Sequence, residues 1–165
     1  MNSETIHRPR CIGIDPGTTA KPSAFAWISD AGDWIVTSHN NASSIYNEID
    51  DAHFSGVEIA VIEDCFLGPN AKSYKMLAVE QGRLRMAAEL AGLRVHIVHP
   101  STWMAASLSS GGRAPKKHAD IARVAIMRAK DITTRDLSED EAMAVCIADW
   151  GECHLQAETE EEGKG

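Results

Sequence analysis

Residues 11–19 read CIGIDPGTT. Cys11 to Ile14 are small or apolar, Asp15 closes the run with a carboxylate, and the PGTT behind it is turn-forming. The stretch therefore predicts a strand that runs into a glycine turn with an acid at its exit. Residues 57–63, VEIAVIE, repeat the design. A nearly continuous apolar run is what a central strand buried on both faces looks like, and this one also ends on an acid, Glu63. Sites in open α/β sheets gather outside the carboxyl ends of strands. If these two strands are neighbours, Asp15 and Glu63 converge at one edge of the sheet. An acid at a strand end is most often a solvated turn residue. Glu63 is harder to read that way, because an unpaired charge beside so apolar a strand is costly.

The segments around these strands supply the rest of a domain. SAFAWI (residues 23–28) and WIVTS (residues 34–38), separated by the turn-rich SDAGD, continue the first strand into an antiparallel meander. Residues 43–53 predict a short helix capped by Ser43 or Ser44. Residues 74–91 show helical spacing through Met76, Leu77, Val79, Leu84, Met86, Ala87 and Leu90, closed by Gly92. RVHIV (residues 94–98) is a further strand stopped by Pro100, and Ser101 caps a short helix containing Trp103 and Met104. After the loop SSGGRAP (residues 109–115), helices are expected over 116–129 and from Ser138 or Glu139 to Trp150. This order fits an α/β fold with a mixed five-stranded sheet and helices on both faces, of which the ribonuclease H-like architecture is one form.

A chain of 165 residues suits one domain with a continuous core, and 44% hydrophobic with 24% charged residues is the balance of a globular protein. The leader MNSETIHRPR has no apolar segment of a secretory signal, and no apolar run approaches the ~20 residues that span a bilayer. A cytoplasmic protein without a membrane partner is expected. Cys11, Cys65, Cys146 and Cys153 are scattered and lack paired spacing, so neither a zinc site nor a disulfide framework is indicated.

The net charge of −8 argues against a nucleic-acid partner until its distribution is considered. Residues 152–165 hold five glutamates against Lys164 and show no apolar periodicity, which predicts a disordered acidic tail behind a domain of residues 1–151. Residues 111–130 carry Arg113, Lys116, Lys117, Arg123, Arg128 and Lys130 against Asp120, a basic segment able to follow a phosphate backbone. Some of the remaining acids have another use. A third carboxylate from the start of the last helix, beside Asp15 and Glu63, would complete an oxygen-only site. Mg²⁺ or Mn²⁺ prefers such ligands, and two ions about 3.5–4 Å apart can clamp a phosphodiester.

GIDPGTT around Asp15, VIEDCF around Glu63, NAKS at residues 70–73, GRA at residues 112–114 with lysines behind it, and DEAMAVCIADW at residues 140–150 follow one another as the motifs of a known family do. Over residues 10–151 the chain resembles the RuvC-type Holliday-junction resolvases of the RNase H-like superfamily. GIDPGT alone is also carried by actin-like ATPases and sugar kinases; the motifs together are much more specific. The resemblance implies a metal-dependent, structure-selective endodeoxyribonuclease. It would act on four-way or other branched DNA by paired symmetrical cuts, leaving 5′-phosphate and 3′-hydroxyl ends, as a homodimer with two Mg²⁺ or Mn²⁺ ions per active site and no nucleotide cofactor.

Position by position, the resemblance makes Asp15 and Glu63 the first two metal-binding carboxylates and Phe66 the aromatic that stacks on bases at the branch point. Its alternative role is plain core packing. Lys116 and Lys117 resemble lysines that stabilise charge on the scissile phosphate, and with Arg113 and Arg123 they would line the DNA path. A solvated helix face is the alternative for that segment. The apolar stripe of residues 74–91 is the family-like dimer interface, or else an internal core face; periodicity alone does not choose.

The last motif departs from the pattern, in which two acids, or a histidine and an acid, stand three apart on the final helix. Aligning EAMAV with the family's acid-Ala register makes Glu141 the principal acid and leaves Ser138 at the partner position. Aligning DEAM keeps Asp140 and puts Met143 where the second acid belongs. Glu141 is preferred as principal ligand, with Asp140 nearby; either way one carboxylate is missing or longer than usual. The altered motif and the short leader would suit a phage or prophage member. Two rival readings remain. An actin-like ATPase fragment is disfavoured because that class needs two related domains. A non-catalytic junction binder would have lost metal chemistry with the degenerate motif.

Overall fold

A computed structural model of the chain describes residues 8–18, 20–65, 70–109 and 114–156. Its five strands are β1 (Cys11–Asp15), β2 (Ser23–Ile28), β3 (Trp34–His39), β4 (Ile59–Glu63) and β5 (Arg94–Val98). Its five helices are α1 (Ala42–Phe54), α2 (Ala71–Leu90), α3 (Pro100–Ser107), α4 (His118–Thr133) and α5 (Glu139–His154). The strands form one sheet in the order β3-β2-β1-β4-β5. The meander pairs antiparallel, whereas β4 and β5 run parallel to β1. This is the mixed five-stranded sheet that the element order predicts, and β1 and β4 are its central neighbours.

The period of two along each strand sorts side chains between two cores. Ile12, Ile14, Ala60 and Ile62 join Ile45, Ile49 and Leu84, the layer under α1 and α2. Cys11, Ile59 and Val61 join Trp103, Ala125, Ala129 and the buried face of α5 on the other side. Asp15 and Glu63 share the parity of Cys11 and Ile59, so both belong to the α5 face.

α5 carries nine buried residues from Ala142 to Gly151. It can lie so close to β1 because small residues line the seam. A Cβ on Gly13 would stand 2.1 Å from the Ala144 carbonyl and 2.4 Å from the Ala148 nitrogen, and one on Gly151 would stand 2.7 Å from Val61 Cγ2 and 3.0 Å from Cys11 Sγ. These contacts run in opposite directions along the two elements, so α5 is antiparallel to β1. Its N-terminus, with the positive end of the helix dipole, lies at the strand end that bears Asp15.

Several boundaries differ from the sequence reading, each for a local reason. Asn41 rather than Ser43 or Ser44 caps α1, its side chain accepting from Ser44 N at 2.8 Å. Asn70 caps α2, which therefore begins at Ala71, three residues ahead of the apolar spacing. His99 caps α3 through Nδ1, with Pro100 filling the first turn. α5 does not stop at Trp150. It runs to His154, Glu152 Oε1 accepts from Cys11 N at 3.3 Å, and Leu155 packs against the α5-side core. The expected tail boundary at residue 152 thus cuts through the last helix, and residues 157–165 lie outside the described residues. Cys11 and Cys146 are buried core residues, with the Cys146 thiol pushed up to about 12 by burial, while Cys65 is half-buried and Cys153 exposed. Among the described residues no helix is long and apolar enough to cross a membrane.

Candidate active site

Because β1 and β4 are parallel neighbours with Ile14 opposite Ile62, Asp15 and Glu63 leave the sheet side by side. The first turn of α5 brings Asp140 to them. One open pocket is lined by Asp15, Glu63, Asp140, Glu139, Lys21 and Met143, with His118 and Ile121 of α4 and Met104 of α3 at its wall. Burial pushes the Asp15 carboxyl well above the ordinary carboxylate range. The negative charges of Glu63 and Asp140 add to the rise, and the Lys21 ammonium opposes it. Glu63 is pushed up to about 7, chiefly by burial. A 2.6 Å hydrogen bond from Trp103 Nε1 to its Oε2 works the other way, and Asp64 adds to the rise.

α2, on the opposite face of the sheet, fixes both strand ends through adjacent residues. Glu80 is buried and accepts from Ser23 Oγ at 2.8 Å, and Ser23 Oγ in turn accepts from Gly17 N at 2.9 Å, which ties down the turn after Asp15. Arg83 pairs with Glu80 at 2.8 Å. Gln81 Nε2 donates to the Glu63 carbonyl at 3.2 Å and to Asp64 Oδ1 at 3.0 Å, which holds the end of β4. A Cβ on Gly17 would stand 2.0 Å from the Lys21 carbonyl, so only glycine lets this turn close so tightly.

The structure brings together Asp15, Glu63 and Asp140. It does not bring Glu141 to them. Ser138 caps α5, and Glu141, three residues on, reaches back to accept from Ser138 N at 2.9 Å, a reciprocal capping box that occupies the carboxylate. Asp140 and Met143, three apart, face the pocket instead. Lys116 and Lys117 are exposed just ahead of α4, next in sequence to the pocket residue His118. Arg123 is exposed further along α4, 3.8 Å from Asp120, and does not line the pocket. Phe66 and Arg113 lie outside the described residues.

Three pocket groups, Lys21, Glu139 and His118, and a neighbour of the pocket, Trp103, escape the sequence reading. Lys21 Nζ lies 2.7 Å from Asp140 Oδ1. His118 Nε2 lies 3.1 Å from Glu139 Oε1. Trp103 reaches Glu63 from α3. For Lys21 and Glu139 the only signal was nearness in sequence to Asp15 and Asp140; His118 and Trp103 gave none.

The donor set is acidic and oxygen-only, which suits a hard divalent cation, and four carboxylates lining one pocket are costly without one. They are not, however, assembled as a finished ligand set: among the described residues no three acid, histidine or cysteine groups stand ready to hold a metal ion. Glu63 is held by Trp103 and Asp140 by Lys21, each through one carboxylate oxygen.

No family model matches the chain. Two curated relatives, each called crossover junction endodeoxyribonuclease RuvC, come from Citrifermentans bemidjiense and from Geobacter sp. strain M21. Each is 26% identical, over 83% of this chain and 90% of the relative. Among solved structures, Thermus thermophilus RuvC superposes with a TM-score of 0.61 at 18% identity, over 86% of this chain and 92% of that one. The same protein in complex with Holliday junction substrate gives 0.59 at 15%, over 86% and 91%. The yeast mitochondrial Holliday junction resolvase Ydc2 gives 0.51 at 11%, over 92% and 82%. These structural likenesses show the fold, which is RNase H-like.

Proposed function

We propose, for a chain that is RuvC-type in sequence and RNase H-like in fold, that it is a divalent-metal-dependent endonuclease resolving four-way or other branched DNA. Its enzyme class is that of the crossover junction endodeoxyribonucleases. The observation that carries the metal-dependent reading is the convergence of Asp15, Glu63 and Asp140 at the carboxyl ends of two parallel central strands, under the N-terminus of α5.

Mg²⁺ or Mn²⁺, when bound, polarises the phosphodiester and supplies a nucleophile at neutral pH. The chain's own groups do the rest. Asp15, Glu63 and Asp140 offer the anionic oxygens. Trp103 orients Glu63, and the buried Glu80 and Ser23 keep the turn after Asp15 in place. Lys116 and Lys117, exposed beside the pocket, are placed to meet phosphates. With Arg113 and Arg123 they form the DNA path in this reading, and Phe66 stacks at the branch point. Attack of water on phosphorus with the 3′ oxygen as leaving group would leave 5′-phosphate and 3′-hydroxyl ends.

Paired symmetrical cuts need two equivalent sites, which a twofold dimer supplies. Support for one comes from α2. Its Glu80, Leu84 and Ala88 are buried inward, while Val79, Met86 and Leu90 are 67%, 63% and 71% exposed along an outer stripe. Three large apolar side chains at that spacing fit a helix face awaiting a partner.

The test is cleavage of a synthetic four-way junction by the full chain. Paired nicks at symmetrical positions with Mg²⁺ or Mn²⁺, absent in EDTA, are expected. Tight junction binding with no metal-dependent cut would instead establish the non-catalytic binder, which the methionine at position 143 would then explain.

A further inference from the structure

The resemblance implies two cations, but the residues of this pocket are built differently. One helical turn beyond Asp140, where the family pattern has a second acid, stands Met143, only 8% exposed and lining the pocket. A thioether offers a hard cation no oxygen and is at most a weak acceptor. From the opposite wall Lys21 sends its ammonium to Asp140 Oδ1 at 2.7 Å. Lys21 is not hung on a loose loop: its backbone is bonded both ways to Thr18, at 2.6 and 3.1 Å, and its carbonyl is the atom over which Gly17 closes. One oxygen of Asp140 is thus engaged by the Lys21 ammonium, and Met143 offers a cation no oxygen at the position one turn further on.

We infer that the centre takes one divalent cation per chain, with the Lys21 ammonium supplying the second positive charge at Asp140. This rests on the nuclease reading above. Asp15, Glu63 and the second oxygen of Asp140 remain for the single cation. Lys21 supplies charge toward the phosphodiester as a preorganised donor that needs no ligand set of its own. The Met143 substitution and the Lys21 contact then compensate one another: losing the acid removes the second cation, and the lysine restores its charge.

The test counts bound Mn²⁺ by electron paramagnetic resonance. It uses the full chain alone and bound to a four-way junction with nonhydrolysable linkages at the cut sites, with the junction's own Mn²⁺ subtracted. The count that matters is the difference between the wild type and Asp15→Asn. One ion per chain in both states is expected, and the double variant Met143→Asp with Lys21→Ala should gain one more. Two Asp15-dependent ions in the wild type would overturn the inference and leave the nuclease reading standing. No Asp15-dependent Mn²⁺ at all would overturn both. Should the double variant fail to fold, the wild-type count alone decides.

Discussion

Glu63 Oε2 accepts a 2.6 Å hydrogen bond from Trp103 Nε1, so a wholly buried indole on α3 holds the carboxylate at the end of the central strand. That bond favours the ionised form of Glu63 against the burial that disfavours it. Trp103→Phe keeps most of the packing and removes the donor. We expect a loss of about 1–3 kcal/mol in stability, the cost of an unsatisfied buried partner. At subsaturating Mg²⁺ the pH midpoint of cleavage should rise, because protons compete with the cation for a carboxylate that then ionises later. Urea unfolding and single-turnover rates between pH 6 and 9 check both; an unchanged pH profile would show that the bond does not govern Glu63.

Glu63, raised to about 7, and Asp15, raised well above the ordinary range, make the metal-free protein sensitive to pH. A group whose folded pKa lies above its unfolded value stabilises the fold fully below the unfolded pKa. That stability is lost as pH rises through the folded pKa. For Glu63 the window runs from the ordinary glutamate range to about 7. In EDTA, wild-type stability should fall across that window, Glu63→Gln should fall less, and divalent cation should restore the wild type. Thermal unfolding from pH 4.5 to 8 measures this. A difference between the two proteins that does not change with pH would contradict it.

How far the site could be read in advance follows from what is local in the sequence. Asp15 and Glu63 were legible because strand parity and a buried apolar run are properties of a few adjacent residues. The choice between Asp140 and Glu141 depends on the phase of α5, which its cap sets. The signal was present in Ser138-Glu139-Asp140-Glu141, the S-x-x-E of a capping box, which assigns Glu141 to the backbone and frees Asp140 for the pocket. The family register points to Glu141 instead. Trp103 and His118 come from elements joined to the site only by the fold, and no local pattern announces them. Glu152 reads as tail charge in the sequence, although it belongs to α5 and bonds to the Cys11 backbone.

The basic segment separates positioning from chemistry. Lys116→Ala and Lys117→Ala should each weaken junction binding and lower its salt slope by about one for each phosphate that is no longer neutralised. If either lysine also reaches the scissile phosphate, its removal lowers the single-turnover rate at saturating enzyme. Unchanged rate and slope in both variants would take the segment out of the DNA interface.

The outer stripe of α2 predicts association. Met86→Asp or Leu90→Asp places a charge at an exposed apolar position, and neither residue belongs to the buried core. Monomer stability should change by less than about 0.5 kcal/mol, as is usual for surface substitutions. The dimer should be lost. Light scattering with and without junction DNA tests this, and a wild type that stays monomeric in both conditions would refute the interface.

The central claim is that Asp140 acts with Asp15 and Glu63 while Glu141 serves the helix cap. It is tested most directly by single-turnover cleavage of a four-way junction by Asp140→Asn and Glu141→Gln at saturating Mg²⁺. Asp140→Asn should lose cleavage by a factor of at least about 100, the scale of losing a group that stabilises the transition state, with binding retained. Glu141→Gln should cut at close to the wild-type rate. The reverse pattern, with Glu141→Gln inactive and Asp140→Asn active, would contradict the account.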